Sequence, residues 1–424
     1  MKNMLPVAIF IIVLIAIDLY AFKSLKLVTS EWQRPLLKNI VLIGYWIASI
    51  VAYGLIIYAI SVFNSGGIQR ANYYFFFMGF ALLLLILIPK LVVSLFHLFD
   101  DIIHLLRIIS GYFVQTKNPD ESVSPNGISR WQFLTRTGWV LAAIPFLSIL
   151  YGVVSGRFNF RILKNTLSFP NLPPSADGLR IVQISDIHIG SFFKDFNSVK
   201  PGLEKINELK PDLILFTGDM VNNYAEELDG WIPYLSELKA KYGKYSILGN
   251  HDYGDYVNWS SEKAKAENLD QLKAMHSEMG FRLMLNEKIE LETAPGESFE
   301  LLGVENWGLG GFSKYGDLSK ALENSDSEKF QVLMSHDPSH WDAQVMDKTK
   351  IELTLAGHTH GMQFGIEIPG FVKWSPAKYR YKRWGGLYRE KDQYIHVNRG
   401  FGYIGFPGRI GMSPEITVID LKKA

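Results

Sequence analysis

Metal-binding types of side chain follow five short apolar runs in the second half of this 424-residue chain. Each run is short and apolar, which is typical of a buried strand. The polar residues after the runs are Asp186 and His188, Asp219, Asn250 and His251, His336, and His358 and His360. Because polar residues at the carboxyl ends of neighbouring strands meet at one edge of an α/β sheet, this order predicts a single site there.

The donor types in this set favour transition-metal ions over calcium. Asp186 and His188 are two residues apart, so both can point toward one cation at the end of a strand. The carboxylate of Asp219 has two oxygens and can bridge two cations. A mixed nitrogen and oxygen set suits Mn, Fe or Zn, and two such ions about 3.5–4 Å apart suit an in-line displacement at phosphorus. The chain has no cysteine, which excludes thiolate ligands.

Taken together, the five blocks resemble the signature motifs of the calcineurin-like metallophosphoesterases. The blocks are Asp186-Ile-His188, Gly218-Asp219, Gly249-Asn-His-Asp252, His336 and Gly357-His-Thr-His360. The resemblance covers residues 179 to about 421, and no block departs from the family pattern. The first half of the chain further resembles the membrane-anchored bacterial branch of that superfamily.

The resemblance implies an α/β domain of two mixed β-sheets sandwiched by helices, with a dimetal site at the strand ends. It implies that one divalent ion is held by Asp186, His188 and His360, that the other is held by Asn250, His336 and His358, and that Asp219 bridges them. The implied reaction is hydrolysis of a phosphoester or pyrophosphate bond by a metal-bridging hydroxide. The expected substrate is a lipid-linked phosphoester or pyrophosphate, since a membrane tether keeps the site near the bilayer, and a soluble phosphorylated small molecule such as a phosphodiester is the alternative.

Two further residues of the Asn-His block receive catalytic roles from the resemblance. His251 is implied to be no ligand, but to stabilise the phosphoryl oxygens or protonate the leaving group. Asp252 is a candidate to orient His251, with a purely structural role as the alternative. Arg399 and Arg409 are candidates for a phosphate clamp or for surface turns. The aromatic stretch 253–259 is either part of a lid or an ordinary insertion loop.

The elements that must position these residues are predicted by apolar periodicity. Strand-like runs lie at 179–185, 212–217, 244–248, 299–304, 331–335, 351–356, 393–397 and 415–421. A helical period over 197–210 separates the first two runs. Helices become rarer between the later runs, which indicates mixed sheets.

The first part of the chain has the composition of a membrane region. Apolar runs at 5–22, 36–63, 71–88 and 138–155 are each long enough to cross a hydrocarbon core of about 30 Å. We therefore predict a transmembrane region with four spans over 1–157, a linker over 158–178 and a metallophosphoesterase domain over 179–424. Membrane lipids are accordingly expected as contacts.

Two stretches between the spans are more polar. Residues 91–109 are apolar but carry His97, Asp100, Asp101 and His104 on one helical face. An interfacial helix is favoured for them, and a second metal site is the alternative. The stretch 117–127 is predicted to be an exposed loop.

Basic residues near the spans predict the orientation of the chain. Five lie on the side of the catalytic half and nine on the opposite side, which places the catalytic half outside the cell. Ser129-Arg-Trp-Gln-Phe-Leu134 resembles a twin-arginine export signal in which Trp131 replaces the second arginine. An ordinary juxtamembrane segment is the alternative.

Charge and composition exclude some functions. With 43 basic and 42 acidic residues the chain has no net field that would attract nucleic acid, and no nucleic-acid partner is predicted. The alternative to an enzyme is a non-catalytic metal-containing membrane receptor or scaffold. Inactive relatives of that kind would be expected to lack ligands, whereas every block is complete here.

Overall fold

The computed structural model describes residues 5–64, 73–113, 130–368 and 370–424. The chain divides into two compact units, one of Met1–Ser61 with Phe75–Tyr151 and one of Val62–Tyr74 with Gly152–Ala424. The stretch 117–127, predicted to be an exposed loop, lies outside the described residues.

The first unit consists of long apolar helices. Their bounds are α1 Leu5–Ser30, α2 Pro35–Asn64, α3 Tyr73–Phe113 and α4 Arg130–Val154. Over the described residues, the segments Pro35–Tyr58, Tyr73–Gly111 and Trp131–Val154 are long and apolar enough to cross a membrane. The prediction of a membrane region with helices of the transmembrane type is confirmed. Three of the four predicted spans meet this criterion over the described residues, and α1 is a further long helix of the same unit.

A single helix replaces two predicted segments. The span predicted to end at residue 88 and the interfacial helix predicted over 91–109 are both parts of α3, which contains Pro89. Proline removes one backbone donor, but apolar residues continue the same helix on both sides of it. The prediction of a separate interfacial helix is therefore wrong.

The polar residues of α3 contact side chains of other helices. The ring of His97 lies 4.5 Å from the ring of Trp131, and Asp101 accepts a hydrogen bond from Tyr20. Of the described residues, those that cluster as candidate metal ligands are all in the second unit. The alternative of a second metal site on α3 receives no support.

A buried ion pair joins α1 and α3. Lys90 donates to Asp18, and Tyr53 of α2 donates to the other oxygen of the same carboxylate at 2.5 Å. Both charged side chains are buried. Since an unpaired charge in an apolar phase is costly, each partner stabilises the buried position of the other.

The second unit contains strands and shorter helices. The strands are β1 Arg161–Phe169, β2 Arg180–Ile184, β3 Leu213–Phe216, β4 Lys244–Ser246, β5 Phe281–Leu283, β6 Glu287–Ala294, β7 Glu297–Gly303, β8 Gln331–Met334, β9 Leu353–Ala356, β10 Ile366–Ile368, β11 Val372–Trp374, β12 Gly386–Glu390, β13 Gln393–Val397 and β14 Glu415–Lys423. The α-helices are α5 Phe196–Glu208, α6 Ile232–Ser236, α7 Glu262–Glu278 and α8 Leu318–Ala321. All eight predicted strands and the predicted helix over 197–210 are confirmed, with small shifts at their ends.

Two six-stranded mixed sheets form the framework of this unit. Their strand orders are β1-β14-β2-β3-β4-β5 and β12-β13-β9-β8-β7-β6. The five strands that precede the candidate site are β2, β3 and β4 in one sheet and β8 and β9 in the other. Within each sheet these strands are parallel, so their carboxyl ends lie on the same edge.

Alternating side chains divide the interior into layers. Leu213 and Leu215 of β3 pack in one buried cluster with Leu353 and Leu355 of the other sheet. Ile214 and Phe216, which point the opposite way, pack in a second cluster that includes residues of α5 and α7. The two sheets therefore pack face to face with helices outside them, as the resemblance implies.

Part of the predicted linker belongs to a sheet. Residues 161–169 form β1, which pairs in parallel with β14 along nine residues. Of residues 161–169 only Leu167 and Phe169 are deeply buried, because β1 is an edge strand. Its mixed composition therefore did not distinguish it from a loop. The domain boundaries at 157 and 178 stay predictions.

Candidate metal centre

Backbone conformation turns the site residues away from their strands. Asp186, His188, Asp219, His358 and His360 all have positive φ, between 47° and 72°. Residues with a side chain rarely adopt this left-handed conformation, which costs of order 1–3 kcal/mol at each position. Five such residues at one edge indicate that the fold holds them there for a purpose other than stability.

Glycines allow the site loops to approach each other closely. A Cβ atom at Gly218, where φ is 94°, would lie 2.6 Å from the amide nitrogen of Gly249 and 2.8 Å from Nδ1 of His336. A Cβ atom at Gly357 would overlap the carboxylate of Asp186. Larger residues would therefore separate the strand ends that carry the donors.

The first group of donors contains Asp186, His188 and His360. Their ligand atoms lie within 4.8 Å of one another. Nε2 of His360 is 3.3 Å from Oδ1 of Asp186 and 3.1 Å from Nε2 of His188. Ligands about 2.0–2.2 Å from a shared ion are separated by roughly 3 Å, so this spacing suits one cation.

The second group contains Asp219, His336 and His358, again within 4.8 Å of one another. Asn250 completes it, because its Oδ1 lies 3.1 Å from Nε2 of His336 and 2.8 Å from Nδ1 of His358. Oδ2 of Asp219 lies 3.1 Å from Nε2 of His336 and 3.5 Å from Nε2 of His188. One carboxylate oxygen is thus adjacent to both groups, as a bridging ligand requires.

The hydrogen bonds of Nδ1 in the His188 and His336 rings show which ring nitrogen can coordinate a metal. Nδ1 of His188 is 3.2 Å from the carbonyl oxygen of Val221, and Nδ1 of His336 is 2.7 Å from that of Thr217. A carbonyl oxygen only accepts, so in both rings Nδ1 carries a proton and Nε2 is the nitrogen that faces the cluster and can coordinate a metal. The donor set therefore fits a pair of divalent ions, while the assignment of each ligand stays a prediction.

Electrostatics in the site favour bound positive charge. Burial lowers the pKa of His188 well below its ordinary value and that of His358 to about 4, so both rings are neutral near pH 7. Burial also disfavours the charged form of His336, but the adjacent Asp219 carboxylate outweighs it and raises the pKa of His336 to about 10. A proton held beside Asp219 takes up part of the positive charge that a metal ion would supply.

His251 lies beside the two donor groups without joining them. Its amide donates to Oδ1 of Asp219 at 2.8 Å, and its Nδ1 lies 2.8 Å from the carbonyl oxygen of Asn222. Its ring lies 4.6 Å from that of Tyr256, whose hydroxyl accepts a hydrogen bond from Asn250. The stretch 253–259 therefore contributes Tyr256 to one side of the site.

Asp252 contacts the backbone instead of the His251 ring. Its carboxylate accepts hydrogen bonds from the amides of Gly249, Asp219, Met220 and Val221 at 2.8–3.2 Å. The expectation that Asp252 orients His251 is therefore corrected, because the carbonyl oxygen of Asn222 makes that contact. Asp252 instead fixes the turn that carries Asp219.

A cavity of about 180 Å³ opens over the donors, and several of its wall residues were not predicted. The additional residues are Phe312, Met362, Arg380, Tyr381 and Ile404. Tyr381 lies 2.9 Å from Nε2 of His358, and Arg380 stacks over the Phe312 ring at 5.0 Å. These residues come from loops whose sequence shows no periodicity. Only Met362 could have been found from the sequence, because it lies two residues after His360.

The two candidate phosphate clamps do not face this cavity. The guanidinium of Arg409 is buried and donates to the carbonyl oxygens of Gly402, Met412 and Arg399. Arg399 pairs with Glu415 at 2.9 Å. The hypothesis that these arginines bind substrate phosphate is therefore wrong, because both guanidinium groups are buried within the fold and neither lines the cavity.

Comparison with known proteins agrees with the geometry. Residues 179–362 match the family model of the calcineurin-like phosphoesterases, and residues 2–157 match that of a probable calcineurin-like phosphoesterase transmembrane domain. An uncharacterized metallophosphoesterase of Bacillus subtilis, YkuE, is 33% identical over 262 residues, which is 61% of this chain and 84% of the relative. A transmembrane protein with a metallophosphoesterase domain from Danio rerio is 29% identical over 65% of this chain and 60% of the relative.

The chain therefore belongs to the calcineurin-like phosphoesterases. It is a metal-dependent phosphoesterase with a membrane domain.

Proposed function

We propose that the chain is a membrane-anchored dimetal phosphohydrolase that cleaves a phosphoester or pyrophosphate bond. The observation that carries the proposal is the position of Asp219, whose Oδ2 is adjacent to both groups of donors. When bound, two divalent ions would supply an activated water for attack at phosphorus and neutralise charge on the phosphoryl oxygens. Mn, Fe and Zn suit the nitrogen and oxygen donors.

The residues of the chain have distinct tasks in this proposal. Asp186, His188 and His360 hold one ion, and the second donor group holds the other. His251 contacts the substrate through Nε2, because its Nδ1 is occupied by the carbonyl oxygen of Asn222. Asp252 keeps the turn with Asp219 in place.

Hydrolysis of a chromogenic phosphodiester by the purified full chain tests this function. We expect hydrolysis of bis-p-nitrophenyl phosphate with Mn²⁺, loss of activity on removal of divalent ions by a chelator, and recovery on return of Mn²⁺. The physical reason is that seven donor groups converge at the candidate metal centre, two of them carboxylates, and their charge and lone pairs favour bound cations. Equal rates before and after chelation would contradict a metal-dependent reaction.

A lipid-linked phosphoester or pyrophosphate is the substrate class we propose. The catalytic unit follows α4 after a short segment, so lipid phosphates are the phosphorylated groups of highest local concentration. A single span would anchor a domain, which suggests that the further helices have a role in contacting lipid. A soluble phosphodiester is the competing substrate class.

For topology we propose that the catalytic unit faces the outside of the cell, as the excess of basic residues on the opposite side predicts. The chain has no native cysteine, so single cysteines report position without background. An impermeant maleimide on intact cells is expected to label an Ala424→Cys variant and not a Ser122→Cys variant. The reverse pattern would place the catalytic unit in the cytoplasm.

A further inference from the structure

An apolar strip runs from the metal centre to the tip of the β10–β11 hairpin. Met362 lines the cavity two residues after His360, and Phe364, Ile366 and Ile368 follow at every second position. These four side chains are each between 41% and 53% exposed. Gln363, between the first two, is buried and donates to the carbonyl oxygen of Phe406 at 2.7 Å. The apolar residues therefore point outward while the polar one points inward.

The β10–β11 hairpin likewise exposes its apolar side chains. Ile366 pairs with Trp374 and Ile368 with Val372 across the two strands, so these four share one face. At the tip, Phe371 is 84% exposed, which is unusual for an aromatic residue of a folded domain.

The opposite face of the hairpin carries the charges and is bound to the domain. Glu367 and Lys373 are cross-strand partners on that face. Glu367 pairs with Arg399 at 2.9 Å, and Lys373 donates to the carbonyl oxygen of Gly385 and lies 5.1 Å from the ring of Trp384. A two-stranded sheet in water normally packs its apolar face inward. Here the ion pair of Glu367 with Arg399 and the contacts of Lys373 hold the hairpin with its apolar face outward.

Basic residues follow the hairpin in sequence. Residues 361–386 contain five basic residues and one acidic residue; Lys373 lies on the bound face, and Lys382 and Arg383 pair with Asp342. Lys378 and Arg380 contact aromatic rings, and neither has a carboxylate within 4 Å among the described residues. Tyr379, between them, is largely exposed. Exposed tyrosine with lysine and arginine beside apolar residues is typical of a segment at a membrane interface with anionic headgroups.

We propose that the β10–β11 hairpin inserts its apolar face into the headgroup and acyl boundary of the bilayer and guides a lipid-linked phosphate along the strip to the metal centre. The guiding role rests on the proposed function, whereas the insertion does not. In sequence only residues 155–160 separate α4 from β1, and six residues reach about 20 Å. A bilayer is therefore the apolar phase closest to this domain, and the basic residues match the charge of its phosphates.

Spin labels on single cysteines of the full chain test the insertion. We would compare Phe371→Cys with Asp392→Cys, a control in another exposed turn, in vesicles of phosphatidylcholine and phosphatidylglycerol. For the label at position 371 we expect severalfold more collision with oxygen and severalfold less with a water-soluble nickel chelate than at position 392. Equal collision ratios at the two positions would overturn the insertion. A label at 371 that is shielded from both reagents would indicate coverage by protein, including a second copy of this chain, and would also overturn it.

A substrate comparison tests the guiding role. The double variant Ile368→Ser with Phe371→Ser changes residues outside the cavity, so hydrolysis of bis-p-nitrophenyl phosphate should equal that of the unmodified chain. We expect hydrolysis of hexadecyl p-nitrophenyl phosphate embedded in the same vesicles to fall tenfold or more. Equal loss on both substrates, or on neither, would overturn the guiding role. Absence of hydrolysis of either substrate by the unmodified chain would instead contradict the proposed function, while the labels would still report insertion.

Discussion

Replacement of Asp219 by asparagine is expected to lower the hydrolysis of bis-p-nitrophenyl phosphate by about a thousandfold. The substitution keeps the size of the side chain but removes the charge from the oxygen shared by the two donor groups. Its amide nitrogen would face imidazole nitrogens where a cation belongs. We therefore expect fewer than two ions per purified chain, measured by elemental analysis, together with the loss of rate.

Glu300→Gln is the matched control for that variant. Glu300 is a fully buried carboxylate of the same domain that pairs with Lys288, away from the donor groups. It distinguishes loss of a buried charge from loss of a metal ligand. If both variants retain two ions and the original rate, Asp219 is not a bridging ligand.

The position of the site could be predicted because local sequence patterns mark the residues that form it. Each donor follows an apolar run that forms a strand, and parallel strands bring such ends to one edge. His336 and His358 are 22 residues apart and meet because β8 and β9 are neighbours. Apolar composition and length were therefore sufficient to predict the strands that carry the site.

The contacts of individual side chains could not be predicted in this way. Asp252 adjoins His251 in sequence, yet the turn directs its carboxylate to backbone amides of another loop. Tyr381 reaches His358 from a segment without periodicity. The outward apolar face of β10 and β11 depends on the ion pair of Glu367 with the distant Arg399, which no local pattern encodes.

The second large effect concerns His251, whose replacement by alanine is expected to lower kcat by about 10²–10⁴-fold. In contrast to the Asp219 variant, this one should retain two ions per chain, because the His251 ring is outside both donor groups. The loss arises in the transition state, where the Nε2 proton would stabilise a phosphoryl oxygen or the leaving group. His396→Gln is the control, since His396 is a buried histidine of the same domain that bonds to Gln183 and does not line the cavity. Unchanged kcat in the His251→Ala variant, or loss of its metal, would remove the catalytic role and leave His251 as a structural residue or a ligand.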